Sequence, residues 1–382
     1  MMRKLNFLFW PVLSGVLVAI LLLQLFPNLL NKTQPAIEIK EAQGQYPSKP
    51  GTGPVSYADA VAVAAPAVVN IYTRTVVRQN VHPLFNDPFF RNFFDAESIP
   101  QRERVQSSLG SGVILSEQGY LVTNNHVIQD ADSIVVALRD GREATAEVIG
   151  TDPETDLAVL KIELSDLPTI TLYPSDKLNV GDVVLAIGNP FGVGQTVTMG
   201  IVSATGRNSL GINTYEDFIQ TDAAINPGNS GGALVDAYGN LIGINTAIFS
   251  KSGGSQGIGF AIPSTLTKQI MRDLIQYGRV IRGWLGIEIQ ELTPELAESF
   301  GLQKMQGLII AGVFRNGPAH QGGLQPGDIM LSINGVPISD GRQSMSDIAR
   351  LRPDQTAEIV VLREGEKLSL TATVGERPKS RN

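Results

Sequence analysis

The chain has 382 residues, 43% of them hydrophobic, which is more than one typical domain needs, so two folded domains with appended segments are expected. Its formal net charge is −7 and it has no concentrated run of Lys and Arg, which argues against nucleic acid as a partner. It has no cysteine and only three histidines, which excludes disulfides and argues against a metal site; no metal or organic cofactor is expected.

Residues 5–30 form an apolar run that Arg3 and Lys4 precede. The run is longer than the apolar part of a cleavable signal peptide, and no clear small-x-small cleavage site follows it. An uncleaved transmembrane anchor within residues 1–31 is therefore predicted, with a removed signal peptide as the alternative. The positive charges on its amino side predict a cytoplasmic start and export of everything that follows. Residues 32–55 are polar and rich in Pro and Gly, as in a flexible tether.

The first folded domain is predicted over residues 56–281. Apolar residues at helical spacing open it and a strand over 68–77 follows. Residues 78–108 are predicted to be a long connection that is either functional or a local aromatic cluster under a loop. Its phenylalanines are Phe85, Phe89, Phe90, Phe93 and Phe94.

Short strand-like runs then alternate with Gly, Asn, Asp and Pro turns, which predicts a mainly β sandwich or barrel. A helix that starts after Pro263 and ends near Gly278, with Leu266, Ile270, Leu274 and Ile275 on one face, closes this domain. The predicted strands cover two runs within 109–125, and then 133–138, 143–150, 157–162, 183–187, 196–204, 218–221, 233–235 and 241–248.

Three segments of the β region carry the residue types of nucleophilic catalysis. His126 follows a strand in Thr-Asn-Asn-His-Val, Asp156 leads into one in Thr-Asp-Leu-Ala-Val, and Ser230 lies in Gly-Asn-Ser-Gly-Gly. Each segment alone also suits an ordinary structural role, such as a glycine-rich turn. The order His, Asp, Ser is that of chymotrypsin-type proteases. Asp152 and Glu154 compete with Asp156, which is preferred because it enters an apolar run that would bury it.

These residue types predict a separate catalytic role for each residue. His126 would take the proton of the Ser230 hydroxyl, and Asp156 would hold the imidazole ring in its productive tautomer. The backbone N–H groups of Gly228, Asn229 and Ser230 would form an oxyanion hole.

The residues before the serine and along the last strand predict a substrate pocket. Ala224 and Ile225 lie where chymotrypsin-type enzymes floor the primary pocket, and Ile244, Asn245 and Thr246 are its predicted wall. No acid is present there to pair with Lys or Arg. Cleavage after small or medium apolar residues is therefore predicted.

A second module is predicted over residues 282–376, with a short tail at 377–382. Trp284, Leu285, Gly286 and Ile287 resemble the carboxylate-binding loop and adjoining strand of a PDZ domain, and residues 323–335 fit the PDZ core pattern. Such a domain binds an extended peptide by β-augmentation. A helix over 344–351 would present Met345 and Ile348 as the other wall of the groove, although residues at that spacing also suit a core.

From residue 56 to about residue 377 these segments resemble the HtrA family of serine proteases, and within it the membrane-anchored stress sensors of the DegS and AlgW type. The resemblance implies a chymotrypsin-like double six-stranded β-barrel followed by an α+β PDZ domain, assembled as a homotrimer. It also implies that the phenylalanines of 78–108 dock on a neighbouring subunit. Arg207, in Ser-Ala-Thr-Gly-Arg-Asn, matches the family's activating-loop arginine, although it also suits a solvated hairpin.

The predicted function is that of a serine endopeptidase in the bacterial inner membrane, single-pass, with its catalytic and PDZ domains in the periplasm. Its PDZ domain would bind exposed C-termini of misfolded outer-membrane or envelope proteins. The enzyme would then make the first cut in a membrane anti-sigma factor. The alternative is a general quality-control protease or chaperone that uses the PDZ domain as a tether. The anchor and the single PDZ module favour the sensor.

Overall fold

The computed structural model describes residues 56–80, 101–248, 254–299, 307–338 and 340–378. Within these ranges, no helix has both the length and the apolar character needed to cross a membrane. The predicted anchor, the tether and all five phenylalanines of the predicted connection fall outside them.

The first half of the protease region is one antiparallel sheet with the strand order β5-β4-β1-β2-β3-β7-β6. Its two end strands are consecutive segments separated only by Ala146, so the sheet curls and its ends meet at this bend. The predicted strand 143–150 is therefore two strands, because the Ala146 N–H turns inward and donates to Ile134 O at 2.9 Å. The strands are β1 Val68–Asn80, β2 Gln101–Ile114, β3 Tyr120–Thr123, β4 Ser133–Ala137, β5 Glu143–Thr145, β6 Glu147–Asp152 and β7 Leu157–Lys161.

The predicted connection over 78–108 is wrong at both of its ends. β1 and β2 stay paired as far as Asn80 opposite Gln101, so only residues between these two can form the connection. The run 101–108 is polar apart from Val105, so it lacks the alternation of apolar and polar residues that predicts a half-buried strand.

The second half is a closed barrel with the order β10-β13-β12-β11-β8-β9. Buried residues from every strand of this barrel form its core, among them Val184, Val202 and Ile219. The strands are β8 Val183–Gly188, β9 Thr196–Arg207, β10 Phe218–Thr221, β11 Ala233–Asp236, β12 Leu241–Ile248 and β13 Gly259–Pro263.

Among the described residues, three α-helices accompany the curled sheet and the closed barrel: α1 Ala58–Ala64, α2 Asn125–Ile128 and α3 Ser264–Tyr277. α3 ends at Gly278, whose φ of +65° lets its N–H turn back to Leu274 O at 3.0 Å. Ile270 and Leu274 pack into the large core that also receives α1. Ile275 is 39% exposed, contrary to its predicted place on the apolar face. It follows Leu274 directly, and successive side chains point about 100° apart around a helix, so Ile275 lies away from the core.

Residues 283–376 fold around a separate buried core. Its main sheet has the order β15-β16-β17-β19-β20, so β15 is an edge strand, and β14 pairs with β21. The helix Gly341–Arg350 (α6) begins three residues earlier than predicted, because the Asp340 carboxylate caps it by accepting from Gln343 N–H at 2.7 Å. The elements are β14 Gly283–Trp284, β15 Ile287–Glu291, α4 Pro294–Ser299, β16 Leu308–Val313, α5 Pro318–Gln321, β17 Ile329–Ile333, β18 Val336–Pro337, α6 Gly341–Arg350, β19 Thr356–Arg363, β20 Glu366–Thr373 and β21 Gly375–Glu376.

Candidate active site

The two barrels bring His126, Asp156 and Ser230 to one place from α2, the turn before β7 and the turn before β11. Asp156 Oδ2 lies 2.7 Å from His126 Nδ1, and Asp156 Oδ1 accepts the His126 backbone N–H at 2.9 Å. A carboxylate only accepts, so Nδ1 carries the proton and Nε2 is left as the acceptor. The imidazole side chain is 47% exposed and the carboxylate 11%. The free nitrogen of His126 is therefore the base on the open side of the pair.

The turn that carries Asp156 is held from several sides. Asp156 has a φ of +61°, in the left-handed region that non-glycine residues rarely adopt. Its carbonyl accepts the Asn124 side-chain amide at 2.9 Å and the Asn125 N–H at 3.2 Å. Thr246 Oγ1 donates to its Oδ2 at 2.8 Å. The carboxylate itself accepts from the Thr246 hydroxyl and from two N–H groups of His126, and these three donors fix it toward His126 and compensate its burial.

Ser230 lies on the same side of the barrels, at the turn where Gly231 and Gly232 follow it. Its hydroxyl donates to Thr246 O at 3.2 Å. No hydrogen bond joins that hydroxyl to the His126 ring in the part of the chain that the structure describes. Catalytic hydrogen bonds are often unformed without substrate.

The four residues before Ser230 form a type II turn. Pro227 and Gly228 occupy its two central positions, Gly228 has a φ of +101°, and Asn229 N–H closes the turn on Asn226 O at 2.9 Å. Among the described residues, the N–H groups of Gly228 and Ser230 donate to no protein acceptor, whereas that of Asn229 is used inside the turn. The N–H groups of Gly228 and Ser230 are therefore the candidate oxyanion donors, and that of Asn229 is not.

The predicted pocket residues differ in how deeply they are buried and in what they contact. Ala224 is half-buried and its carbonyl accepts from Thr198 Oγ1 at 2.8 Å. Ile225 and Ile244 are fully buried in core clusters, and Asn245 donates through its side chain to Ala233 O at 3.0 Å. These last three side chains have structural partners.

The competing carboxylates, Asp152 and Glu154, are bound elsewhere. Asp152 accepts from Arg282 Nη2 at 2.6 Å, and Glu154 accepts from Arg377 Nη1 at 2.9 Å. Both arginines stack on the Tyr215 ring, at 4.6 and 5.6 Å from its centre. Burial raises the pKa of the Tyr215 phenol, with the nearby Arg377 charge acting in the opposite direction. Among the described residues, Asp156 is the carboxylate that pairs with the His126 ring, and Asp152 and Glu154 bond arginines instead, so the geometry favours Asp156 as its partner.

Arg207 ends β9 and is exposed, with its Nε donating to Gln220 Oε1 at 2.9 Å. The next residue connects two domains, because Asn208 Nδ2 donates to Gln343 Oε1 on α6 at 2.7 Å. The turn after it is organised by the buried Glu216, whose carboxylate accepts three backbone N–H groups, those of Leu210, Ile212 and Asn213.

A groove runs between the edge strand β15 and α6. The N–H groups of Leu285 and Gly286 at its end donate to no described acceptor, and Gly286 has the φ of +72° that this loop requires. Leu285 itself is a core residue, Ile348 is buried at the base of the groove, and Met345 is 45% exposed at its rim. The lining includes all six predicted residues, namely Trp284, Leu285, Gly286, Ile287, Met345 and Ile348, together with Gly283, Glu288, Ile289, Ala349, Arg377 and Tyr215 of the barrel region.

Sequence reasoning missed two contributors to this arrangement. Thr246 was expected only as a pocket wall, and Asn124 was not considered as a partner of Asp156. Their partner lies 90 and 32 residues away in the chain, respectively, so no local pattern announces either contact.

Comparisons with known proteins agree with both domains. Residues 110–244 match the trypsin-like peptidase domain family, and residues 283–374 match the PDZ domain family. The chain is 48% identical over 331 residues to a probable periplasmic serine endoprotease, DegP-like, of Ectopseudomonas mendocina, covering 83% of this chain and 69% of the relative.

Solved structures are similar over most of the chain. The structure of the HtrA-type protease AlgW with decapeptide is 65% identical, with a TM-score of 0.69, over 85% of this chain and 99% of that one. The serine endoprotease from Yersinia pestis is 42% identical, with a TM-score of 0.58, over 86% of this chain and 100% of the other.

Proposed function

This chain belongs to the HtrA-type serine proteases, and from that premise we propose that it is a peptide-controlled sensor protease of the periplasm. It is a serine endopeptidase with one PDZ domain. Our proposal adds an inner-membrane anchor at residues 5–30, a trimeric assembly, activation by C-termini of misfolded envelope proteins, and a first cut in a membrane anti-sigma factor. The domain limits predicted above, from the anchor to the tail after residue 376, are part of the proposal.

The proposed chemistry follows from the three side chains. His126 Nε2 takes the proton as Ser230 Oγ attacks the scissile carbonyl, and later gives it to the leaving amine. Asp156 keeps Nδ1 protonated and stabilises the imidazolium through its 2.7 Å contact. The N–H groups of Gly228 and Ser230 receive the carbonyl oxygen as it becomes negative.

The proposed preference for small or medium apolar residues rests on the sequence at Ala224 and Ile225, the predicted pocket floor, which offers no acid to pair with Lys or Arg. Ile225 is proposed to lie under this pocket, where its burial would limit the size of the side chain that can enter. Ile244, Asn245 and Thr246 are proposed to contribute mainly through the backbone of β12.

Peptide recognition by the PDZ domain is supported by the open edge of β15. An extended peptide can add to this edge, with its terminal carboxylate at the free N–H groups of Leu285 and Gly286. Met345 and Ile348 offer it an apolar wall. The AlgW structure that was solved with a decapeptide shows that a similar protein binds peptide.

The single observation that carries the regulatory part is the position of α6. One side of this helix lines the peptide groove through Met345 and Ile348, and the same helix contacts the protease domain. Gln343 accepts from Asn208, the neighbour of Arg207, and Arg350 pairs with Asp217. A peptide that moves α6 therefore acts directly on the turn after β9. We propose Arg207 as the residue that passes this change toward the oxyanion hole.

The test uses the full-length chain in detergent and a fluorescent casein substrate. A synthetic decapeptide ending in three apolar residues should raise the initial rate at least five-fold, and its C-terminally amidated form should not. Met345→Asp should raise the peptide concentration that is needed by about ten-fold. Val336→Asp is the matched control, because Val336 is another exposed apolar residue of the same domain and does not line the groove.

Other outcomes would change the proposal. A high rate without peptide that peptide leaves unaltered would replace the sensor by the quality-control protease with a PDZ tether. Cleavage by Ser230→Ala would reject the catalytic assignment. A purified anti-sigma factor that is cut no faster than casein would remove the proposed physiological substrate while leaving the peptide control intact.

A further inference from the structure

One buried hydroxyl outside the three proposed catalytic residues touches the nucleophile turn directly. Ser111 lies in β2 and has no exposed surface. Its Oγ donates to Gly228 O at 2.7 Å and its backbone N–H donates to Ser230 O at 2.9 Å. A single residue of the first half of the protease domain thus binds the carbonyls before and after the Ser230 N–H, although it is more than a hundred residues away in sequence.

The direction of these hydrogen bonds is fixed. Asn189 N–H donates to Ser111 Oγ at 3.0 Å, so the hydroxyl proton is left to point at Gly228 O. The chain of donors therefore runs from the end of β8 through Ser111 to the nucleophile turn. Consecutive hydrogen bonds of this kind polarise and strengthen one another in a buried setting.

The contacts hold alternate peptide planes of the turn. The Gly228–Asn229 plane is held by Ser111 at its carbonyl and by Asn226 at its N–H. The plane after Ser230 is held by Ser111 at its carbonyl and by Asn245, which accepts Gly231 N–H at 2.8 Å. The N–H groups of Gly228 and Ser230 belong to the planes beside these two. Because the two held planes cannot rotate freely, the neighbouring planes that carry the Gly228 and Ser230 N–H groups are also limited in their rotation.

We propose that Ser111 is a positioning residue of the oxyanion hole, whose hydroxyl fixes the peptide plane that follows Gly228. The strand N–H of any residue at this position could reach Ser230 O. Only a side-chain donor can reach Gly228 O, so the hydroxyl is the functional part. The proposal rests on Ser230 as the nucleophile. Its effect falls on the step in which negative charge develops on the substrate oxygen.

Three full-length variants separate this role from simple stabilisation. Ser111→Ala removes the donor to Gly228, and Ser111→Cys keeps a weak donor of similar size. Thr267→Val is the matched control: Thr267 is equally buried and its hydroxyl donates to a backbone carbonyl, Pro263 O, at 2.9 Å, but it makes no hydrogen bond to the nucleophile turn. Each is measured for kcat and KM on casein, for its thermal midpoint, and for inhibition by a peptide boronic acid ending in valine.

We expect Ser111→Ala to lower kcat by about ten- to a hundred-fold with little change in KM, somewhat less than the loss for removing a hole donor outright. Boronate affinity should fall by the same factor, because the tetrahedral boronate places an oxygen in the hole. Ser111→Cys should be intermediate. Thr267→Val should lose thermal stability while its kcat and boronate affinity stay within about two-fold.

Equal losses of kcat in Ser111→Ala and Thr267→Val, in step with their thermal midpoints, would overturn the proposal in favour of a stabilising role. A loss of kcat in Ser111→Ala with unchanged boronate affinity would overturn it as well. Should Ser111→Ala not fold, Ser111→Cys decides by the same ratio. If instead Ser230→Ala still cleaves and the wild type ignores the boronate, it is the assignment of Ser230 that fails.

Discussion

Reversing the ion pair between α6 and the protease domain should raise activity in the absence of peptide. Arg350 and Asp217 pair across the domains, with side chains 35% and 20% exposed. Arg350 also has Asp347 at 4.0 Å on its own helix, which competes for its charge. In Arg350→Glu the attraction becomes a repulsion, and α6 loses one of its two polar contacts to the β9–β10 region.

The expected size of the effect follows from this partial exposure. A pair of this kind contributes about 0.5–1 kcal/mol, and reversal adds a repulsion of similar size, so the docked arrangement loses about 1–2 kcal/mol. If docking holds the resting state, the fraction of active enzyme rises by about five- to thirty-fold, within the limit set by full activation. High salt should raise the wild-type rate in the same direction, because it screens the pair.

The assay is the initial rate of casein cleavage without peptide, for wild type, Arg350→Glu, Asp217→Arg and the double reversal. Each single reversal should raise the basal rate and reduce the further gain from peptide. The double reversal restores an opposite-charge pair and should return toward wild type. Unchanged basal rates in both single variants, or a double variant as active as the singles, would refute the idea that this contact holds the resting state.

Three further predictions concern the protease domain. Asp156→Asn should lower kcat by about 10³–10⁴ with KM nearly unchanged, because the amide cannot hold the His126 ring in the same tautomer. Gly228→Ala should lose about 1–3 kcal/mol of stability at its φ of +101° and most of its activity, whereas Gly141→Ala, at a φ of +90° in open space, should show the strain without the loss of activity. The raised pKa of buried Tyr215 means that the folded state holds its proton more tightly, so this contribution is intact below pH 10.0 and is lost as the pH rises through the raised pKa. The alkaline decline of the thermal midpoint should therefore be shallower in Tyr215→Phe, and an identical slope would contradict the assignment.

The sequence was informative where the chemistry is local. Turn and strand signals around His126, Asp156 and Ser230 are carried by neighbouring residues. Five of the six strands of the second barrel were expected close to their observed ranges, whereas β13 was not predicted. The same holds for the loop from Trp284 to Ile287. In these places hydrophobic alternation and glycine at left-handed positions act over fewer than ten residues.

The sequence was uninformative where a contact depends on the packing of distant segments. Ser111 looks like any serine between two glycines until β2 is placed beside the nucleophile turn. The salt bridge from Arg282 to Asp152 and the pairing of β1 with the polar part of β2 have no local signature either. Ile275 shows a further limit, since one residue of error around a helix moves a side chain from the core to solvent.

The distribution of unpaired polar atoms offers a physical reason why the active site should respond to weak forces. Among the described residues, four buried side-chain atoms have no hydrogen-bond partner, and those of Asn124, Asn229 and Asn245 lie beside the histidine, before the nucleophile and beside the pocket. Such atoms cost free energy, whereas the barrel cores around them are apolar and fully packed. Asp156 adds a left-handed φ to the same region. An arrangement assembled at this local cost can be shifted by one or two kcal/mol, which is the size of the contact between α6 and the protease domain, while the barrels themselves stay folded.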